Sequence, residues 1–183
     1  MKIVKKEYQV FEYHELSGDS KQRVLENLHD INTDYDWWEN DYCDFKDTLI
    51  DIGIRCDNFY FSLEQDFYIS MSDPCVIDPK LFLRYCAIDL RTVDAREIMD
   101  MGIGIETNCF EMGRTGNSIE QYYRLGITQK TENKLNEGLS KILDAFLYLL
   151  KQEYEVRTGK EEIIDTIEVN EYRFLEDGTL FKG

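Results

Sequence analysis

Residues 34–51 read DYDWWENDYCDFKDTLID, and the way this stretch is wound decides what the rest of the chain packs around. It carries seven acids against one lysine, threaded with tryptophan, tyrosine and phenylalanine. Wound as a helix, it places Trp38, Tyr42, Phe45, Leu49 and Ile52 at alternating four-three spacing, which is a single stripe. The opposite side carries Asp36, Asn40, Asp44, Asp47 and Asp51. The stripe is expected to be buried, so that Trp38→Ala would cost about 3–5 kcal/mol as a core aromatic does. Trp37, about 100° away around the helix, is assigned by the stripe neither to the core nor to the surface, its edge being one place open to it.

The rest of the chain fits a globular protein built around such helices. Its 183 residues suit one domain over 1–183, and 43% hydrophobic with 13% aromatic residues is a folding composition. Thirty-seven acids against twenty-one bases give a net charge of −16. Such a surface repels phosphate backbones and anionic membranes and attracts basic grooves, so direct non-specific binding to DNA or RNA is disfavoured. Cys43, Cys56, Cys75, Cys86 and Cys109 are odd in number and form no C-x-x-C pair, so they read as reduced, mostly buried thiols and not as a disulfide framework or a zinc ribbon. MKIVKKEYQVFEYHEL has no apolar signal region, and no run of eighteen apolar residues occurs. The expected location is a reducing cytoplasm.

A pass along the chain gives mixed elements. Tyr8 to Tyr13 suits a strand, and Ser17 suits the N-cap of a helix carrying Val24, Leu25 and Leu28. Asn58 to Ser72 reads as a hairpin around Glu64-Gln65-Asp66. Pro79 opens a helix to about Leu90, and Asp94 to Met101 forms another. Met101 to Met112 and Ile119 to Ile127 form a second strand pair around the turn-rich GRTGN. The strongest signal is Thr131 to Arg157, where Leu135, Leu139, Ile142, Phe146, Leu150 and Tyr154 recur at helical spacing before Gly159. EEIIDTIEVN then gives a short helix, and YRFLEDGTLF a hairpin turning at Asp177-Gly178. The class is α+β: antiparallel strand pairs covered by helices, with one long amphipathic helix near residues 131–157.

Four readings of the acidic row stand side by side. It is the wet side of an amphipathic helix, a carboxylate or metal site, a nucleic-acid decoy, or a docking face for a basic protein with tyrosines and Trp37 among the charges. A metal or catalytic site needs converging side chains, whereas these acids fan along one face. As a decoy the helix alone is sparse, with an acid every roughly 6 Å against about 3.4 Å along a DNA strand. Asp30, Asp34, Asp41 and acids from 161–177 would have to join it on one surface. Other constellations are weaker. His14 and His29 have no partner nucleophile, and Gly102-x-Gly104 runs from helix to strand, the reverse of a dinucleotide loop. Arg114 within GRTGN suits a hairpin loop better than a phosphate nest. Neither catalytic residues, metal ligands nor a cofactor is expected. The partner-binding residues expected are Asp34, Asp36, Glu39, Asp41, Asp44, Asp47 and Asp51.

YQVFEYHELSGDSKQRVLENL (8–28) followed by DYDWWENDYCDFKDTLIDIGI (34–54) resembles the opening of small phage and mobile-element proteins loosely described as antitoxins of a toxin–antitoxin stability system. LLKQEYEVRTGKEEIIDTIEVNEYRFLEDGTLF (149–181) is similar to their closing segment. Residues 72–122 depart from the pattern: LEQDFYISMSDPCVID stands where a glycine-rich segment follows in the family. Some type II anti-CRISPR proteins resemble this group. The resemblance implies an inhibitor that binds a type II RNA-guided CRISPR effector nuclease of the bacterial host, with or without its guide RNA, and evades host defence by protein–protein contact. It leaves open an antitoxin-like protein that neutralises another basic protein, and a metal-dependent nuclease acting on guide RNA or DNA.

Overall fold

A computed structural model describes residues 7–63, 68–107, 117–120 and 126–182. The expected turns at Glu64-Gln65-Asp66 and at Gly113 to Gly116, with Arg114 and Cys109, lie outside the described residues. In chain order the elements are a 3-10 turn at Tyr13–Glu15, α1 (Gly18–Asn27), α2 (Glu39–Asp51), β1 (Ile54–Arg55), β2 (Asn58–Ser62), β3 (Tyr68–Ser72), β4 (Cys75–Val76), α3 (Pro79–Tyr85), α4 (Val93–Met101), β5 (Gly104–Thr107), β6 (Asn117–Glu120), α5 (Gln129–Arg157) and α6 (Lys160–Val169). The class is α+β, and the chain divides into two compact units, residues 1–37 with 152–183 and residues 38–151.

In the first unit, Ser17 caps α1 as its sequence position requires, accepting a hydrogen bond from the Ser20 backbone N–H. α1 and α6 pack Val24 against Ile163 and Ile167, with Tyr13, Leu16 and Phe174 completing the core. The strand expected over Tyr8 to Tyr13 shrinks to one bridge, in which Phe11 and Phe174 exchange backbone hydrogen bonds of 2.8 and 2.9 Å. The reason is local: the Glu15 carboxylate accepts from the Glu12 N–H at 2.8 Å, a capping box that turns the chain. The final hairpin forms as expected at Asp177-Gly178. Gly178 sits at φ 87°, and a Cβ there would come within 2.6 Å of the Ser20 carbonyl oxygen, so only glycine fits. Gly159 ends α5 and at the same time caps α6.

In the second unit, β2 and β3 pair antiparallel over five residues, from Asn58 opposite Ser72 to Ser62 opposite Tyr68. Ile69, Ser70 and Met71 are all buried, so β3 is covered on both faces, whereas Asn58 and Tyr60 of β2 are exposed. A separate antiparallel sheet has the order β1-β4-β5-β6. Asp78 caps α3, accepting from the Lys80 and Leu81 N–H groups. That helix stops at Tyr85 and not at Leu90, because Ala87 turns left-handed at φ 53° and the Ile88 N–H bonds back to the Leu83 carbonyl. Asp94, at the start of α4, accepts from the Thr128 N–H at 3.0 Å and the Thr128 hydroxyl at 2.7 Å, and from the Thr131 hydroxyl, tying α4 to the start of α5. Leu135, Leu139, Ile142, Phe146 and Leu150 run down the buried side of α5 on the periodicity read from the sequence, and Leu143 is buried with them.

Candidate functional site

The quoted stretch winds into a helix only from Glu39, with Trp38 as its N-cap residue. The buried stripe therefore differs from expectation at its first turns. Phe45 and Leu49 are buried, whereas Trp38, Tyr42 and Ile52 are half-buried. Trp38 meets the edge of Phe61 at 5.3 Å and lies over the hairpin, whereas Tyr42 packs its ring against Phe59 and Phe146 at the edge of the core and its hydroxyl donates to the Phe59 carbonyl at 3.1 Å. Burial pushes the Tyr42 phenol up to about 12. Deeper in, the Phe45 and Phe146 rings stack 3.9 Å apart, locking α2 onto α5. Trp37 is the buried tryptophan. It belongs to the first unit, where it lies 6.2 Å from the Tyr154 ring with the Arg157 guanidinium over its face at 5.7 Å. Arg157 in turn donates to Tyr35 and Glu153.

The acids sort accordingly. Asp34 and Asp36 are exposed in the turn ahead of α2 and outside the helical row. Glu39 is exposed and Asp41 half-buried in the first turn of α2. Asp44, Asp47 and Asp51 are all exposed on one face of the helix, spread along about 10 Å of its axis. Glu39 and Asp41 suit the positive end of the helix dipole. Asp47 and Asp51 do not, since they crowd the negative end, where the last turn holds no basic residue. Like charges three and four apart also repel. The row weakens the helix that carries it.

Alongside the row runs an apolar groove between α2 and α5, with a volume of about 280 Å³. Phe45, Ile142 and Phe146 form its floor, Asp41 and Asp44 one wall, and Ala145 and Leu149 the other. No local signal marks the groove, because it exists only once α2 and α5 are paired.

The remaining chemistry is dispersed. His14 lies 3.5 Å from Glu12, and His29 2.7 Å from Asp30, each on the surface of the first unit. Four of the cysteines are described, all as free thiols: Cys56 and Cys86 are buried, but Cys43 and Cys75 are exposed, contrary to the mostly buried set expected. Burial pushes the Cys56 thiol up to about 11 and Cys86 up to about 12, so neither is a nucleophile at neutral pH. Among the described residues no group of three His, Cys, Asp or Glu side chains is placed to hold a metal ion. No described helix is long and apolar enough to cross a membrane. Compared with protein-family models, curated proteins and solved structures, the chain matches none.

Proposed function

We propose that the protein acts by binding, and that the Asp44, Asp47 and Asp51 face of α2 docks on a basic surface of a protein partner. One observation carries this reading: three exposed carboxylates repel one another in a row along α2, and Asp47 and Asp51 also crowd its negative end, an arrangement that folding alone does not favour. Asp41, on the groove side, and Glu39 in the first turn extend the negative field. The partner is drawn from the resemblance of residues 8–54 and 149–181, which points to a type II CRISPR effector nuclease in the bacterial cytoplasm. Such nucleases hold nucleic acid in positively charged channels and read the PAM with arginines, so a rigid acidic face has a complementary seat there. Neutralisation of another basic protein, as in an antitoxin, would use the same face.

The test is inhibition of target cleavage by a purified type II effector with its guide RNA. Wild-type protein is expected to inhibit, and Asp44→Lys/Asp47→Lys/Asp51→Lys to lose inhibition while keeping its circular dichroism spectrum, since exposed substitutions move stability by about 0.5 kcal/mol or less each. A folded triple variant that inhibits like wild type refutes the role of the row. Inhibition by neither protein refutes this partner.

A further inference from the structure

Taking the binding role proposed above as its premise, we infer that the groove between α2 and α5 receives the apolar face of a cationic amphipathic helix of the partner, whose Lys or Arg residues pair with the acidic row beside it. Groove and row form one surface. At about 100° per residue, Asp41, Thr48 and Asp44 fall within about 60° of one another on α2, and Asp44, Asp51 and Asp47 within the next 60°. Asp44 is thus both a wall of the groove and the first member of the row. An apolar side chain seated on Phe45, Ile142 and Phe146 therefore brings its helical neighbours against carboxylates.

The groove's open mouth favours a protein segment over a small molecule. At about 280 Å³ it matches the low end of the roughly 300–1,000 Å³ of dedicated small-molecule pockets, so the exposed wall and not the size separates the two. Its α5 wall is apolar yet open to water: Leu149 is 60% exposed, and Tyr148 beside it 61%. Leu149 is apolar surface left wet at the lip of the groove, and a partner that covers it removes that area from water. The charge on the lining selects the sign of the occupant. Asp41 and Asp44 stand on one side with Asp47 and Asp51 just outside, against the single Lys141 on the α5 side. An acidic amphipathic helix would meet this wall with repulsion, and a purely basic, non-amphipathic segment would leave the apolar floor wet.

The test uses the full chain and a labelled Leu/Lys peptide whose leucines fall on one helical face, with fluorescence anisotropy as the readout. Two controls accompany it: the same composition with leucines spread around the helix, and the amphipathic peptide with Glu replacing every Lys. The amphipathic Lys peptide is expected to bind at least about tenfold more tightly than either control. Ala145→Gln/Leu149→Gln changes two exposed positions and no charge, and is expected to reduce that preference to within about twofold. Ile50→Gln, on another side of α2, is expected to keep it in full. Amide chemical-shift changes should centre on residues 41–48 and 141–149. Equal affinity for the two Lys peptides, equal affinity for the Glu peptide, preference retained in Ala145→Gln/Leu149→Gln, or shifts centred elsewhere would each overturn the assignment. The two proposals fail separately. Nuclease inhibition that needs Asp44, Asp47 and Asp51 but ignores Ala145→Gln/Leu149→Gln sinks the groove and spares the row. Groove binding of the peptide without nuclease inhibition sinks the nuclease as partner and spares the groove.

Discussion

Gly138 sits in the middle of α5 where helix propensity alone calls for alanine, and its neighbour Cys86 explains why it is not. A Cβ on Gly138 would lie 2.5 Å from the Cys86 Sγ, 3.5 Å from its Cβ and 3.6 Å from Tyr85 Cε1. Gly138→Ala gains about 1 kcal/mol of helix propensity, but the sulfur is buried and must be displaced, an overpacking cost of roughly 1–3 kcal/mol. The expected net loss is about 1 kcal/mol. Cys86→Ala deletes one buried heavy atom and should cost about 1 kcal/mol. The double variant places the new methyl in the space the sulfur leaves, with the two Cβ atoms at an ordinary 3.5 Å. Its cavity loss and helix gain offset one another, so it should match wild type to within about 0.5 kcal/mol, a coupling of about 2 kcal/mol that exceeds ordinary departures from additivity. Urea unfolding followed by far-ultraviolet circular dichroism measures all four proteins. Additivity to within about 0.5 kcal/mol, or a stabilised Gly138→Ala, would refute the steric reasoning.

Four further outcomes are expected. Trp37→Ala should cost about 3–5 kcal/mol and half-buried Trp38→Ala only about 2, and denaturant melts giving the reverse order would contradict the packing. Binding of wild-type protein to the effector nuclease should weaken and slow in association as salt rises, because attraction between exposed faces is screened over about 8 Å at physiological ionic strength, whereas a flat response would indicate apolar docking alone. Hydrogen bonds from the Thr131 and Thr128 hydroxyls and the Thr128 N–H hold the Asp94 carboxyl below its ordinary value, so its contribution to stability is present above the unfolded-state value and is lost as pH falls through the folded one. Asp94→Asn should accordingly destabilise at neutral pH and converge on wild type in acid, and a gap that persists in acid would show that the ionised form is not what matters. Guide RNA incubated with the protein and magnesium should keep its length, and shortening that vanishes on changing particular acids would replace binding with catalysis.

Periodicity carried most of the fold. The leucines of α5, the cap at Ser17, Pro79 at the head of α3 and the strand run over Asn58 to Ser72 are local signals, and each stands where the sequence puts it; β5 lies within the expected Met101 to Met112, but β6 begins at Asn117, inside the expected turn and ahead of Ile119. What local signals miss is set by distant partners. Cys75 and Val76 are too few to read as a strand, and β4 exists because Ile54 and Gly104 lie on either side to pair with it. Trp37 and Trp38 are adjacent and chemically identical, so spacing favoured the one in phase with Phe45. Burial went to the other, because Tyr154 and Arg157 provide a seat for it that lies more than a hundred residues away in sequence. The acidic row was legible at Asp44, Asp47 and Asp51, and misjudged at Asp36, where no residue before Glu39 extends the helix.

The first unit is stitched from segments that flank the second, and this orders events on the ribosome. The Ser20 hydroxyl donates to the Glu176 carbonyl across 156 residues of sequence, and Phe11 bridges Phe174. Closing so long a loop adds little to the equilibrium cost, because each doubling of length takes only about 0.6 kcal/mol. The delay is kinetic. At roughly 5–20 residues per second, α1 emerges on the order of 10 s before its α6 partner has been made, and holds Val24, Leu25 and Leu28 unpaired throughout. Residues 38–151, by contrast, leave the tunnel as one uninterrupted run, so the helix bearing the acids has all of its own unit's partners at hand while the flanking unit still waits for its second half.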